Sequence, residues 1–197
     1  MPSSARSSPP SASPQRGVTL IELMITVAIL AIVGMMAAPA LSTSISTRAV
    51  SSGAEDLGSA LRLARSEALK RSIPVAVCPV SDPNVSSPTC LGTDVWGAGW
   101  VVFVDRDADG GIDGDDIVIK AYTPGRGVAS VTGSSNNAIV FLANGLLAGN
   151  DVSFSMLPRI DESSDSYTAA KRTVCMAKSG RARLMKGDDA CPTAPTT

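Results

Sequence analysis

The residues best suited to chemistry are the carboxylates that cluster between Asp105 and Asp116. Acidic residues stand at positions one, three, five, nine and twelve of this segment, with glycine at position six and an apolar residue at position eight. This spacing is typical of a calcium loop, in which alternate side chains converge on one ion and the glycine permits a sharp turn. The predicted ligands are Asp105, Asp107, Asp109, Gly111, Asp113 and Asp116.

Three features of the same segment favour a solvated acidic turn instead. Asp116 stands where calcium loops usually carry the longer Glu, and Arg106 lies inside the segment. The flanking residues predict strands, whereas helices usually enclose such a loop, and Asp and Gly are common in ordinary turns. The hypothesis is a Ca²⁺ ion that braces a loop without catalysing a reaction, and no other cofactor is expected.

A second charged segment lies near the C-terminus and is basic. It contains Lys171, Arg172, Lys178, Arg181, Arg183 and Lys186, and no acid occurs before Asp188. Arg181 and Arg183 share one face of an extended segment, because side chains alternate along a strand. Two guanidinium groups on one face can hold phosphate oxygens bidentately, and Ser179-Gly180 lets backbone approach a ligand closely. The alternative is a solvated basic strand.

Composition restricts the chemistry further. The net charge of −1 gives no global basic field for nucleic acid, so any contact with a polyanion must be local. The chain has no histidine, which removes the commonest general base and the commonest zinc ligand. Without a phosphate loop or a nucleophile beside a base, we do not expect an enzyme.

The four cysteines have no Cys-x-x-Cys spacing and allow three pairings. In an exported protein disulfides are the natural use, and we favour the pairs nearest in sequence. These are Cys78 with Cys90 and Cys175 with Cys191. Buried free thiols are the alternative.

The N-terminal segment combines a basic leader with a long apolar run. Residues 1–16 are rich in Ser and Pro and carry no acid, which predicts a disordered leader. The run from Val18 to Leu41 has 24 residues, about 36 Å as a helix against a hydrocarbon core of about 30 Å. Gly17 precedes this run, so cleavage after Gly17 would retain the helix. Glu22 needs a partner, because a lone carboxylate in a membrane helix costs a few kcal/mol.

The residues Gly17-Val-Thr-Leu-Ile-Glu-Leu23 resemble the prepilin peptidase signature of type IV pilins and type II secretion pseudopilins. The resemblance implies cleavage between Gly17 and Val18, methylation of the new amine, and pairing of Glu22 with the N-terminus of a neighbouring subunit. Val18 departs from the family's usual Phe. The same resemblance implies that the protein starts in the bacterial inner membrane with a periplasmic head and then enters a filament of other pilins. A plain transmembrane anchor with an incidental Glu is the alternative.

The elements that position these residues follow from periodicity. Apolar or small residues recur every three to four positions beyond Pro39, which predicts one bent helix from about residue 18 to about residue 72, kinked near Gly34 to Pro39. Arg62 and Arg65 on this helix are interpreted as a solvated face. Strands are predicted at Val75–Val80, Gly99–Val104, Ile117–Tyr122, Ala138–Leu142, Val152–Met156 and Thr173–Ala177.

One long helix packed on an antiparallel sheet is an α+β, type IV pilin-like fold. The predicted organisation has four parts. These are a cleaved leader (1–17), a membrane and filament-core helix (18–41), an amphipathic continuation (42–73), and a β-rich head (74–197).

The segment Trp96-Gly-Ala-Gly-Trp-Val-Val-Phe-Val-Asp105 resembles the core of the GspH/FimT class of minor pilins and pseudopilins, and we interpret both tryptophans as packing residues. Gly180-Arg-Ala-Arg183 is similar to the G-R-x-R motif of FimT-type minor pilins, which bind DNA during natural transformation. That resemblance implies DNA as a partner of Lys178, Arg181, Arg183 and Lys186. Because no aromatic residue stands next to the arginines, we expect the backbone of double-stranded DNA to be a better ligand than unpaired bases. The alternative is a GspH-like pseudopilin of a type II secretion system that binds only protein partners.

Overall fold

The computed structural model describes residues 18–192, apart from the side chains of residues 36–39. Gly17 and the predicted leader therefore lie outside the described residues. Helix α1 runs from Leu20 to Arg71 over 52 residues, close to the predicted bounds. It ends where Ser72 adopts a left-handed conformation (φ 56°) ahead of Pro74, which disfavours a further helical turn.

The chain divides into two compact units, Met1–Pro39 and Ala40–Thr197. The boundary falls at one end of the Gly34 to Pro39 segment, where we predict the kink. Within the described part of the chain, no single helix is long and apolar enough to cross a membrane alone. The stretches Leu20–Met35 and Ala40–Arg71 satisfy length and composition only as a pair.

The head, as far as residue 192, contains eight strands and one short helix. They are β1 (Val75–Pro79), β2 (Trp100–Val104), β3 (Ile117–Tyr122), β4 (Val128–Gly133), β5 (Ile139–Phe141), β6 (Val152–Pro158), α2 (Asp165–Ala170), β7 (Arg172–Met176) and β8 (Ala182–Lys186). The strands form two four-stranded sheets, ordered β3-β2-β1-β5 and β4-β6-β7-β8, in which every pairing is antiparallel. The α+β fold is confirmed, and the six predicted strands are present.

The expectation of one sheet is wrong, because the head has two. Strands β4 and β8 were not among the predicted strands. In β4 the register shift between Val128 and Ser130 breaks the strict alternation that marks a half-buried strand. Helix α2 is only six residues long and was also missed. Sheet membership depends on pairing between distant segments, which local periodicity does not specify.

The main core joins α1 to both sheets. Small and branched residues of α1 pack there with strand residues, and all of the helical members are at most 1% exposed: Val50, Ala54, Leu57, Ala60, Leu61, Ala64 and Ala68. Trp96 meets Phe154 edge to face at 4.8 Å between ring centroids, and Trp100 stacks on Tyr122 at 6.0 Å. Both tryptophans are therefore packing residues.

A second cluster lies on the other face of the first sheet. It contains Ala76, Cys78, Val80, Val101 and Phe103, all buried. Ile112, from the acidic segment, and Cys90, which is bonded to Cys78, pack against this cluster. The acidic loop and the first disulfide thus cover the same face.

Candidate functional site

The β7–β8 hairpin carries the predicted arginines. Its loop is closed by hydrogen bonds from Gly180 N–H to the Ala177 carbonyl (2.7 Å) and from Ala177 N–H to the Arg181 carbonyl (3.1 Å). Gly180 has φ +76°, and a Cβ there would lie 2.5 Å from the Gly145 carbonyl oxygen. Three-residue hairpin loops place a glycine at such a left-handed position. Gly180 is therefore required by backbone conformation and by a close approach.

The hairpin tip is fixed by three further hydrogen bonds. The Arg65 guanidinium on α1 donates to the Gly180 carbonyl at 2.7 Å. Leu147 N–H donates to the Lys178 carbonyl at 3.0 Å, and Lys178 N–H donates to Asp151 Oδ1 at 2.7 Å. The interpretation of Arg65 as a solvated residue is wrong, because its side chain is part-buried and holds the loop. This contact could not be predicted from the sequence, because nothing in it links a basic residue on α1 to a distant Ser-Gly loop.

Arg181 and Arg183 lie together on the outer face of the second sheet. In the strand register Ser153 pairs with Cys175 and Cys175 pairs with Arg183, so the three side chains form one row. The Cys175–Cys191 disulfide ties the C-terminal segment to the same row. A cavity of about 340 Å³ opens there and is lined by both arginines with Asp151, Ser153, Cys191 and Pro192, among others.

The other basic residues do not join this face. Lys186 is three positions beyond Arg183 on the regular strand β8, so its side chain points to the opposite face. Lys171 forms an ion pair with Asp188 at 3.0 Å, and Arg172 donates to the carbonyls of Ala169 and Lys171. Lys178 is exposed at the hairpin tip. Because residues 183 and 186 are an odd number of positions apart, strand alternation in the sequence already places Lys186 on the face opposite Arg183.

Arg181 and Arg183 are both exposed. Among the residues that the structure describes, neither guanidinium forms an ion pair. Two adjacent cations that are neither buried nor neutralised can accept an anion without first breaking an internal contact. This face can therefore accept an anion.

The acidic loop, residues 105–116, joins β2 to β3 at the edge of the first sheet. Carboxylate oxygens of Asp105, Asp107 and Asp109 all lie within 4.8 Å of one another. Asp116 lies outside that group and closes the loop by accepting a hydrogen bond from Arg106 N–H at 3.1 Å. Gly111 N–H donates to Asp109 Oδ1 at 2.6 Å. The structure thus assembles three of the predicted ligands.

The carboxylate of Asp105 is the buried member of the loop, with an exposed fraction of 0%. Burial, the largest cause, raises its pKa to about 6, although the hydrogen bond from Gly110 N–H acts in the opposite direction. Repulsion from the Asp107 carboxylate, the largest cause, raises the pKa of Asp113. None of the loop carboxylates forms an ion pair with a described residue.

At the N-terminal end, Thr19 caps α1. Its hydroxyl oxygen accepts a hydrogen bond from Glu22 N–H at 3.3 Å, and Leu23 N–H donates to the Thr19 carbonyl at 3.1 Å. A Thr followed three residues later by Glu is a helix-start signal that the sequence interpretation missed. Val18 and Glu22 are both exposed in the single chain.

A capped apolar N-terminal helix that continues into a β-rich, disulfide-bonded head defines the pilin-like class of proteins. This chain belongs to the family described as Type II transport protein GspH, whose model matches residues 53–180. The Prokaryotic N-terminal methylation motif matches residues 12–38, as in a membrane-anchored pilin. The predicted GspH/FimT class is confirmed, and membership implies prepilin peptidase processing and assembly with other pilins.

Two crystal structures of one minor pilin support the same fold. The type IV minor pilin FimU of Pseudomonas aeruginosa PAO1 is 21% identical, with a TM-score of 0.53 over 72% of this chain and 92% of that chain. A second crystal form gives a TM-score of 0.50 at the same identity, over 72% of this chain and 96% of that chain. The minor pseudopilin EpsH of the Vibrio cholerae Type 2 Secretion System is 14% identical, with a TM-score of 0.46 over 70% and 96% of the two chains. No curated protein matches the chain.

Proposed function

We propose that this chain is a minor pilin that primes a type IV pilus or sits near its tip and binds double-stranded DNA for uptake in natural transformation. Cleavage between Gly17 and Val18 precedes assembly, and Glu22 pairs with the N-terminus of a neighbouring subunit. The DNA contacts are Arg181 and Arg183, and Lys178 at the exposed hairpin tip is a further candidate. The observation that carries the proposal is the pair of exposed guanidinium groups on one face of a rigid hairpin, neither of which forms an ion pair with a described residue.

The rigidity of the hairpin bears on the affinity. Because Gly180, Arg65 and Leu147 already fix the loop, little backbone entropy is lost when a phosphate binds between the arginines. Few contacts are available, so binding is weak and independent of sequence, with a dissociation constant of about 10⁻⁴–10⁻⁶ M at physiological salt. A weak contact lets a filament release its cargo.

The type of nucleic acid follows from the surrounding side chains. Every Trp and Phe of the chain is buried, and neither Tyr is exposed. Base stacking on exposed aromatic rings is therefore unavailable, and stacking is the usual means of holding unpaired bases. The phosphate backbone of a duplex is the ligand that suits two guanidinium groups.

Gel-shift titration of the detergent-solubilised full chain with a short duplex tests the proposal. At low salt we expect Arg181→Gln and Arg183→Gln each to weaken binding about fivefold, since an exposed ion contact contributes up to about 1 kcal/mol. Each variant should also reduce the slope of log K against log salt by about 0.9 for each lost phosphate contact. Lys186→Gln probes the opposite strand face and should have less effect than either.

Lys120→Gln is the matched control, because Lys120 is an exposed cation on β3 of the other sheet. Loss of binding by this variant to the same extent as by Arg183→Gln would replace the proposed site with a general charge effect. If the wild-type chain does not shift DNA at low salt, DNA binding is excluded.

A second candidate function is a minor pseudopilin of a type II secretion system that binds only protein partners. The family match to Type II transport protein GspH favours it. In that case Arg181 and Arg183 would contact a carboxylate of a partner subunit. Deleting the gene and scoring transformation, twitching and secretion separately distinguishes the two, because only one machine should fail.

A further inference from the structure

We propose that the β2–β3 loop is a calcium-binding site built on Asp105, Asp107 and Asp109. Oxygen atoms from these three carboxylates already lie within 4.8 Å of one another. Ca²⁺ binds oxygen ligands at about 2.3–2.6 Å, so two ligands of one ion are at most about 5 Å apart. The three groups thus stand close to ligating distance before any ion is added.

The second and independent observation is Asp105 Oδ1. This atom is buried and has no hydrogen-bond partner, whereas Oδ2 of the same carboxylate accepts from Gly110 N–H at 3.1 Å. A buried carboxylate oxygen without a partner is costly, because it has lost water and gained nothing in return. A cation at the centre of the three carboxylates would satisfy it.

Contacts with the first sheet also hold the loop in place. Ile112 packs into the buried cluster on the first sheet, and Asp105 N–H donates to the Pro74 carbonyl at 3.1 Å. Asp116 keeps the two strand ends together through Arg106 N–H and is not needed as a direct ligand.

Arg106 does not neutralise this charge. It is exposed, and in the described part of the chain it forms no ion pair with the loop carboxylates. A hard divalent cation with flexible coordination fits a set of carboxylates better than Mg²⁺, which demands near-octahedral geometry and keeps several waters. The role of the ion is to join the loop to the sheet, and it takes no part in the DNA contact.

Calorimetric titration of the detergent-solubilised full chain tests the site. We expect the wild-type chain to bind one Ca²⁺ with a dissociation constant of about 10⁻⁴–10⁻³ M, the range of extracellular modules. Binding should raise the melting temperature, and EGTA should reverse the rise. Asp107→Asn and Asp109→Asn should each weaken binding about tenfold or more, because each removes a charged ligand. These two residues are exposed, so neither variant should prevent folding.

Asp115→Asn is the matched control, since it removes one exposed charge from the same loop outside the ligand set. It should change the affinity less than about twofold. Equal losses for Asp115→Asn and Asp109→Asn would show diffuse attraction and overturn the site. The proposal also fails if no binding occurs at millimolar calcium, or if Mg²⁺ at equal concentration raises the melting temperature as much.

Discussion

At the scale of single residues, our proposal gives Thr19 and Glu22 different roles at the start of α1. The Thr19 hydroxyl accepts the Glu22 N–H and so satisfies a helix donor that would otherwise be free. The Glu22 carboxylate is then available for a neighbouring subunit. In a lipid environment that carboxylate is costly while unpaired, and a charge pair inside a bundle of helices removes the cost.

This division predicts different results for two substitutions. Glu22→Gln keeps the helix start and removes the charge, so we expect the amount of subunit recovered in sheared filaments to fall at least severalfold while the membrane pool is retained. Thr19→Ala removes the cap, worth about 1 kcal/mol, and keeps the charge, so assembly should continue. Immunoblotting of the filament and membrane fractions measures both. Normal incorporation of Glu22→Gln would contradict the pairing.

At the scale of elements, the β7–β8 hairpin depends on Gly180. An alanine there would have to adopt φ +76° and place its Cβ 2.5 Å from the Gly145 carbonyl oxygen and 2.7 Å from Arg65 Nε. We expect Gly180→Ala to lower the free energy of unfolding by about 1–3 kcal/mol, the cost of a non-glycine residue in a strained conformation. Urea unfolding followed by tryptophan fluorescence measures it, because both tryptophans are buried in the main core.

Gly149→Ala is the comparison variant for the same measurement. A Cβ at Gly149 meets no atom within 4 Å, and its φ is not in the left-handed range. Its effect should stay within about 0.5 kcal/mol, as for most exposed substitutions. If the two variants lose the same stability, the close approach at Gly180 does not hold the hairpin.

The elements also show what the sequence could predict. Helix α1 and six strands followed from local periodicity and turn residues, and Trp96 and Trp100 followed from their apolar context. The pairing of β4 with β6 and the contact of Arg65 with Gly180 both depend on segments meeting in space. No local pattern carries that information. Lys186 was different, since alternation from Arg183 already placed it on the other face.

At the scale of the whole molecule, the two compact units differ in how far their side chains are buried. Residues 18–35 are exposed throughout, and they include the large apolar side chains of a helix that requires lipid or other subunits. Of the described side chains, none in either buried cluster precedes Val50. The earliest buried residue among the described side chains is Ser46, whose hydroxyl donates to the Arg159 carbonyl at 3.2 Å.

This separation predicts that residues 40–197 fold without the N-terminal unit. Both clusters, both disulfides and the Ser46 contact are retained in that fragment. We expect its melting temperature to differ from that of the detergent-solubilised full chain by less than about 2–4 °C, the shift that about 1 kcal/mol produces in a domain of this size. Near-ultraviolet circular dichroism of the buried tryptophans follows the transition. A larger fall, or loss of that signal at 25 °C, would mean that residues before Ala40 stabilise the head, because every contact described within the head survives the truncation.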